Sequence, residues 1–331
     1  MASKRRSPDA DLASENYLGL NTTFYEASPH GYFSERLSNL LLVASKGAAL
    51  DALIAEGFEF GGLSVPASQS SGVSEEERAK AAEHFVTAET EVLSHHVGET
   101  LLRLYLAHEG VPACPWLELS RMRTPTEFKA SVRRRFGAET DVPGAKRRAE
   151  VAKVFYLTDT REALKPAPSE AAWNTSLDVI EEYLSHFARQ HLDQAALYNA
   201  AKHGLAVRPS RMSLKWNDGA LVSVDGAVMQ YLYLRDRDDG LRRWYQGTHW
   251  VRRDMQMALI SRACQLIEAL WVAARFRYVP NTRGAGAESR LFGRPTPSEL
   301  MMAADERGFV ITDMGQELIY YRPVDEPPPG R

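Results

Sequence analysis

The chain has 331 residues, 44% of them hydrophobic and 25% charged, with a formal net charge of −3 and a pI near 6.3. This is ordinary globular composition, long enough for one large core or two smaller ones. The charge balance excludes a general nucleic-acid coat and leaves room only for a local basic patch.

Residues 1–16 carry early Lys and Arg but no apolar signal-peptide core, and they read as a disordered N-terminus. The apolar run at 40–44 is too short to span a bilayer, so no membrane partner is expected and the chain reads as cytoplasmic. The two cysteines, Cys114 and Cys264, lack metal-type spacing and read as small buried side chains.

Apolar residues recurring at three and four predict helices at about 34–56, 75–109, 125–136, 146–158, 169–203 and 252–278. Residues 64–74 are a Ser-rich loop that ends in Ser74 and three glutamates, an acidic helix start. From 213 to 251 the pattern alternates instead. Asn217-Asp218-Gly219, Asp225-Gly226 and residues 236–240 are turn signals between strand-forming runs. The fold class that follows is mainly α: a helical bundle over 17–280, with an antiparallel β meander inserted at 212–251. A loop and small β hairpin over 281–325, pairing 309–312 with 317–321, and a disordered tail over 326–331 complete the expected organisation.

Two stretches concentrate chemistry. On the 75–109 helix, His95, His96, Glu99 and Arg103 fall in one stripe, and a second apolar side implies packing on both sides. Polar groups near a core need partners, and an imidazole, a carboxylate and a guanidinium within two turns can pair along a helix. At the end of the 169–203 helix, Asn199 and His203 share one face, Tyr198 and Lys202 the next, and Gly204 suits a left-handed helix stop. The negative end of the dipole favours the charged forms of Lys202 and His203, which could hold a phosphate or act as a general acid. Helix capping and a satisfied buried network are the structural counterparts of these two readings. Basic runs at 133–135 and 146–148 read as solvated helix faces, and His249 as part of a half-buried aromatic strand. No phosphate-binding glycine loop, nucleophile elbow or dinucleotide fingerprint occurs.

A helical bundle with a polar helix and a later helix ending in Asn199-x-x-Lys202-His203-Gly204 resembles the HEPN superfamily. Many of its members are RNA-cutting or RNA-binding toxin and defence proteins, marked by an Arg, four to six residues, then a His at a helix end. His203 matches that His in position. Asn199 stands near where the Arg would be, while Arg103 and His108 satisfy an Arg-x4-His spacing at the end of the other long helix. The resemblance implies RNA as partner and metal-independent cleavage without a cofactor, His203 moving the proton of a 2′-hydroxyl. Lys202 and Arg103 would then stabilise the phosphate, Asn199 would orient an oxygen and Glu99 a partner group, with His95, His96, Tyr198 and His108 contacting substrate. Two rivals stay open. One is a non-catalytic interaction module, a homodimer whose polar clusters only fix packing. The other is a metal-binding bundle using His95, His96, Glu99 and His203.

Overall fold

Local residue chemistry sets several of the helix starts and stops. The computed structural model describes residues 12–56, 58–60, 63–65, 74–137, 144–202, 207–217, 221–236, 240, 242–280, 290–305 and 313–318. After a single turn at Ser14–Asn16 come α1 (Tyr17–Phe24) and α2 (Pro29–Glu56), the latter with proline in its first turn, where no amide donor is needed. Strands β1 (Phe58–Phe60) and β2 (Leu63–Val65) pair antiparallel; the sequence pattern gave no sign of them. A reciprocal cap starts α3 (Glu75–His108): Ser74 Oγ accepts from the Glu77 amide at 3.2 Å, and Glu77 Oε2 accepts from the Ser74 amide at 2.8 Å. Gly110, at φ 73°, takes the left-handed conformation just past the helix end.

Short α4 (Pro115–Arg121) is followed by α5 (Pro125–Phe136), which Thr124 and Glu127 open as a capping box. Then come α6 (Gly144–Tyr156), α7 (Glu170–Asp193) and α8 (Ala195–Lys202). The single helix expected over 169–203 is therefore two, broken at Gln194, whose carbonyl accepts from the Tyr198 amide at 3.0 Å as α8 begins. Next are β3 (Val207–Asn217), β4 (Leu221–Asp236), β5 (Arg242–Trp250), α9 (Arg253–Tyr278), α10 (Pro297–Asp305) and β6 (Asp313–Glu317). The protein is mainly helical, with one four-stranded antiparallel sheet in the order β3-β4-β5-β6. Asp225-Gly226 is not a turn. It lies inside β4, opposite Ser213 and Met212, because the β3–β4 ladder holds that stretch extended on both sides. Of the expected C-terminal hairpin, 309–312 and 319–321 lie outside the described residues, and β6 is instead the edge strand of the main sheet.

The chain divides into two compact units that interleave in sequence. The first takes Met1–Glu35, His96–Asp193 and Leu259–Leu300. Its core is a helical stack in which α7 buries Trp173, Leu177, Ile180, Leu184 and Phe187 along one stripe. Each such side chain contributes about 1.5–3 kcal/mol of burial free energy. Gly98 on α3 lets the Phe187 ring approach so closely that a methyl there would sit 2.5 Å from the ring. A second aromatic group gathers Phe24, Tyr25, Trp116, Trp271 and Tyr278, with ring centroids 5.0–6.0 Å apart.

The second unit takes Arg36–His95, Gln194–Ala258 and Met301–Arg331. Leu197 and Ala201 of α8 pack on Met229 and Val251, with Ala88, Val92, Val207 and Tyr231 around them. Pairing puts Met229, Tyr231, Tyr233, Tyr245, Gly247, His249, Gly315 and Asp313 on one face of the sheet. On that face the Tyr231 ring lies over Gly247, and Tyr233 reaches over Gly315. Among the described residues, α9 has the length and apolarity of a membrane span, but 61% of that window is buried inside the protein, as in a core helix.

Candidate functional site

Among the described residues, a cluster of charged and polar side chains centred on the buried Glu91 lies in the second unit and begins with a helical spacing. Glu91 and His95 are four apart on α3, so they share a face, and His95 Nε2 sits 3.1 Å from Glu91 Oε1. The sheet supplies the rest. His249 on β5 places Nε2 3.4 Å from Glu91 Oε2, and its Nδ1 donates to Asp313 Oδ1 on β6 at 2.7 Å. Register makes the last contact, since His249 and Asp313 are direct cross-strand partners. Gln256, in the first turn of α9, donates from Nε2 to Glu91 Oε2 at 2.6 Å. Glu91 is fully buried, and His95 and His249 are each 4% exposed.

Two directed hydrogen bonds, from Gln256 and from His249 Nδ1, join the charge pair of His249 and Glu91 in holding this group together. Glu91 Oε1, His95 Nε2 and His249 Nε2 lie in close contact without the alignment of a hydrogen bond. Burial alone would raise the Glu91 carboxyl. The His249 charge and the contacts from His249 and His95 overcome it and hold the carboxyl well below the usual range. Burial alone would lower His249. The Glu91 charge, followed by the bond to Asp313, pushes it up to about 10, so the imidazole is a fixed cation between two carboxylates at neutral pH. Tyr231, on the same sheet face, is pushed up to about 12 by burial and then by Asp313. Among the described residues, no group of three or more His, Cys, Asp or Glu is arranged to hold a metal ion.

The two stretches singled out in the sequence meet through His95 and Tyr198. The His95 ring stacks on Tyr198 of α8, centroids 4.8 Å apart and 20° from parallel. Lys202, exposed, holds its ammonium 5.6 Å from the same Tyr198 ring, and Asn199 is also exposed. His203 lies outside the described residues.

The remaining candidates belong to the first unit. Arg103 Nε donates to Glu99 Oε1 at 2.8 Å, another of its nitrogens donates to the Met122 carbonyl, and the guanidinium lies 4.0 Å from the Phe128 ring centre. His96 is half-buried there. His108 is buried: its Nδ1 donates to the Leu104 carbonyl at 2.6 Å, and its Nε2 accepts from Tyr25 Oη at 2.5 Å. Burial drives His108 down to about 4, so it is neutral.

Sequence reasoning misses Glu91, Gln256 and Asp313 and takes His249 only as part of a half-buried aromatic strand, whereas it is buried and ion-paired. The Glu91–His95 spacing was readable as a helical pair. The other three lie on elements far along the chain, 165 residues separating Gln256 from Glu91.

No family model, curated protein or solved structure matches this chain.

Proposed function

We propose that the chain binds RNA at the C-terminal end of α8 and cuts it there without a metal, in the manner of the HEPN-like proteins it resembles. One observation carries the reading. His95 stacks on Tyr198, which fixes the last turns of α8 while Asn199 and Lys202 stay open to solvent immediately before His203. A cation and an amide donor held on a fixed helix end suit an oxyanion, because they need no reorganisation when charge develops.

In this scheme His203 takes the proton of a ribose 2′-hydroxyl as that oxygen attacks the adjacent phosphorus. The 5′-oxygen leaves with a proton from water, giving a 2′,3′-cyclic phosphate and a 5′-hydroxyl. Lys202 offsets the charge gathering on the phosphate, and Asn199 holds a non-bridging oxygen. Arg103 and Glu99 have no part in it, being engaged with each other, with Met122 and with Phe128. Buried Glu91 and His249, with the exposed Asp313 at the sheet edge, serve as a brace between α3 and the sheet.

A second reading, a non-catalytic module that pairs with its own copy, draws on Leu232, Leu234 and Trp244. These lie together on the opposite sheet face, 58%, 47% and 51% exposed.

The test incubates the purified protein with end-labelled single-stranded RNA in excess chelator. Fragments ending in cyclic phosphate are expected. His203→Ala should lose cutting while melting at the same temperature. Lys202→Ala should weaken RNA binding uniformly across sequences and flatten its salt dependence. Intact RNA with no retained complex would remove the RNA reading, and dimeric sedimentation in the same preparation would favour the second.

A further inference from the structure

A cavity of about 110 Å³ in the first unit is bounded by three helices: Arg135 and Phe136 from α5, Arg147 and Val151 from α6, Glu181 and Ser185 from α7. Its walls are unusual in what they leave unpaired. The Arg135 side chain is only 6% exposed. Nε donates to Glu109 Oε1 at 2.5 Å and Nη2 donates to Tyr105 Oη at 2.7 Å, while Nη1 is buried with no protein partner. Glu181 also buries Oε1 with no partner. A buried unmet donor and a buried unmet acceptor each cost stability unless something fills the space between their residues.

The charge around the cavity is mostly positive. Arg147 is half-buried at the wall, and Ser185 brings a hydroxyl. The guanidinium of nearby Arg148 is occupied by Asp178 and the Asn174 carbonyl. Glu109, the carboxylate closest to Arg135, is already bonded to Nε. The volume equals roughly three or four waters, which a tetrahedral oxyanion matches.

We propose that this cavity is a binding site for a protonated phosphate: the hydrogen phosphate ion or a terminal phosphomonoester carrying one P–OH. Arg135 and Arg147 take the anionic oxygens, Ser185 donates a third hydrogen bond, and Glu181 accepts the proton of the P–OH group. Burial raises the Glu181 carboxyl despite Arg148, Arg147 and Arg135, which makes it a better acceptor for that proton. Sulfate has no proton to offer at neutral pH, so it would place an oxygen against an ionised carboxylate. The site therefore selects phosphate over sulfate, and it is independent of the RNA reading, which rests on the other unit.

The experiment titrates the whole chain with inorganic phosphate and with sulfate at matched ionic strength, near pH 6.5, where a phosphomonoester still keeps a good share of its P–OH protons and sulfate has none, by calorimetry and by melting temperature. Saturable phosphate binding with at least tenfold weaker sulfate binding is expected. Arg135 also ties Glu109 and Tyr105 together, and replacing it endangers the fold. Arg147→Gln is therefore the diagnostic variant, and it should weaken phosphate about tenfold or more with an unchanged melting temperature in the absence of ligand. Glu181→Gln offers an amide donor in place of the acceptor and should close the gap between the two anions. Glycerol phosphate as competitor distinguishes the sources: competition identifies a phosphomonoester, and its failure identifies the free ion. No saturable phosphate binding, equal binding of sulfate, or an unaffected Arg147→Gln would each overturn the proposal and leave a water-filled cavity.

Discussion

Each unit buries a histidine, and the two end in opposite states. His108 is 3% exposed and His249 is 4% exposed, so burial does not distinguish them. His108 in the first unit meets a tyrosine hydroxyl and a carbonyl, and its pKa falls to about 4. His249 in the second meets two carboxylates, and its pKa rises to about 10. Neighbours rather than depth set the charge. The first unit keeps its interior neutral at that point, whereas the second has taken an ion pair inside.

The largest expected break in this contrast is Glu91→Ala. It leaves the His249 cation buried with only the partly exposed Asp313 as partner, and it should cost about 3–5 kcal/mol, read from urea unfolding. His249 should then titrate far nearer 6.5, as followed by imidazole proton resonances, whereas His108 should not move. A loss below about 1 kcal/mol would mean that solvent already reaches the pair.

Acid and base should separate the units next. His249 is raised above its ordinary 6.5, so its contribution is complete below that value and is lost as pH climbs through about 10. Glu91 is depressed, so its contribution is present above its ordinary 4.5 and is lost on acidification. His108 is depressed from 6.5 to about 4; the neutral form it needs is complete above 6.5 and is lost as pH falls through 4. Hydrogen exchange should therefore quicken first in α4 and around Tyr25 below about pH 6, and first in β5 and β6 above about pH 9. Exchange that quickened in the opposite order would contradict the assigned charges. The smallest effect belongs to Tyr25→Phe, which strips His108 Nε2 of its donor and should cost about 1–3 kcal/mol. It should also raise the pH at which acid unfolding begins.

Much of the architecture is legible because long helices repeat their signal. α7 displays its stripe of Trp173, Leu177, Ile180, Leu184 and Phe187 openly, and Ser74 with Glu77, or Thr124 with Glu127, announces a start. Helices α1, α4 and α10, of eight, seven and nine residues, are too short for periodicity to speak. The break at Gln194 carries no glycine or proline to mark it. Asp225-Gly226 shows the reverse failure, a strong local turn signal overridden by pairing with β3. The site was less legible than the fold for the same reason. Tyr198, Asn199 and Lys202 could be grouped because they lie within one helix. Glu91, His249 and Asp313 come from three separate elements, and only the register of β5 against β6 brings the last two together. No shift in composition marks the point at His95 and His96 where α3 passes from one unit to the other.

The edge strand β6 also has a consequence for synthesis. His249 and Asp313 are separated by 64 residues, and Glu91 precedes Gln256 by 165. A chain emerging from the ribosome therefore exposes Glu91 first, gains the imidazole much later, and receives the second carboxylate later still. Closure of the sheet is a late, long-range event of the kind that slows folding. Until then the nascent β5 edge lies open, and it is during this interval that a chaperone holding the growing chain would have most to protect.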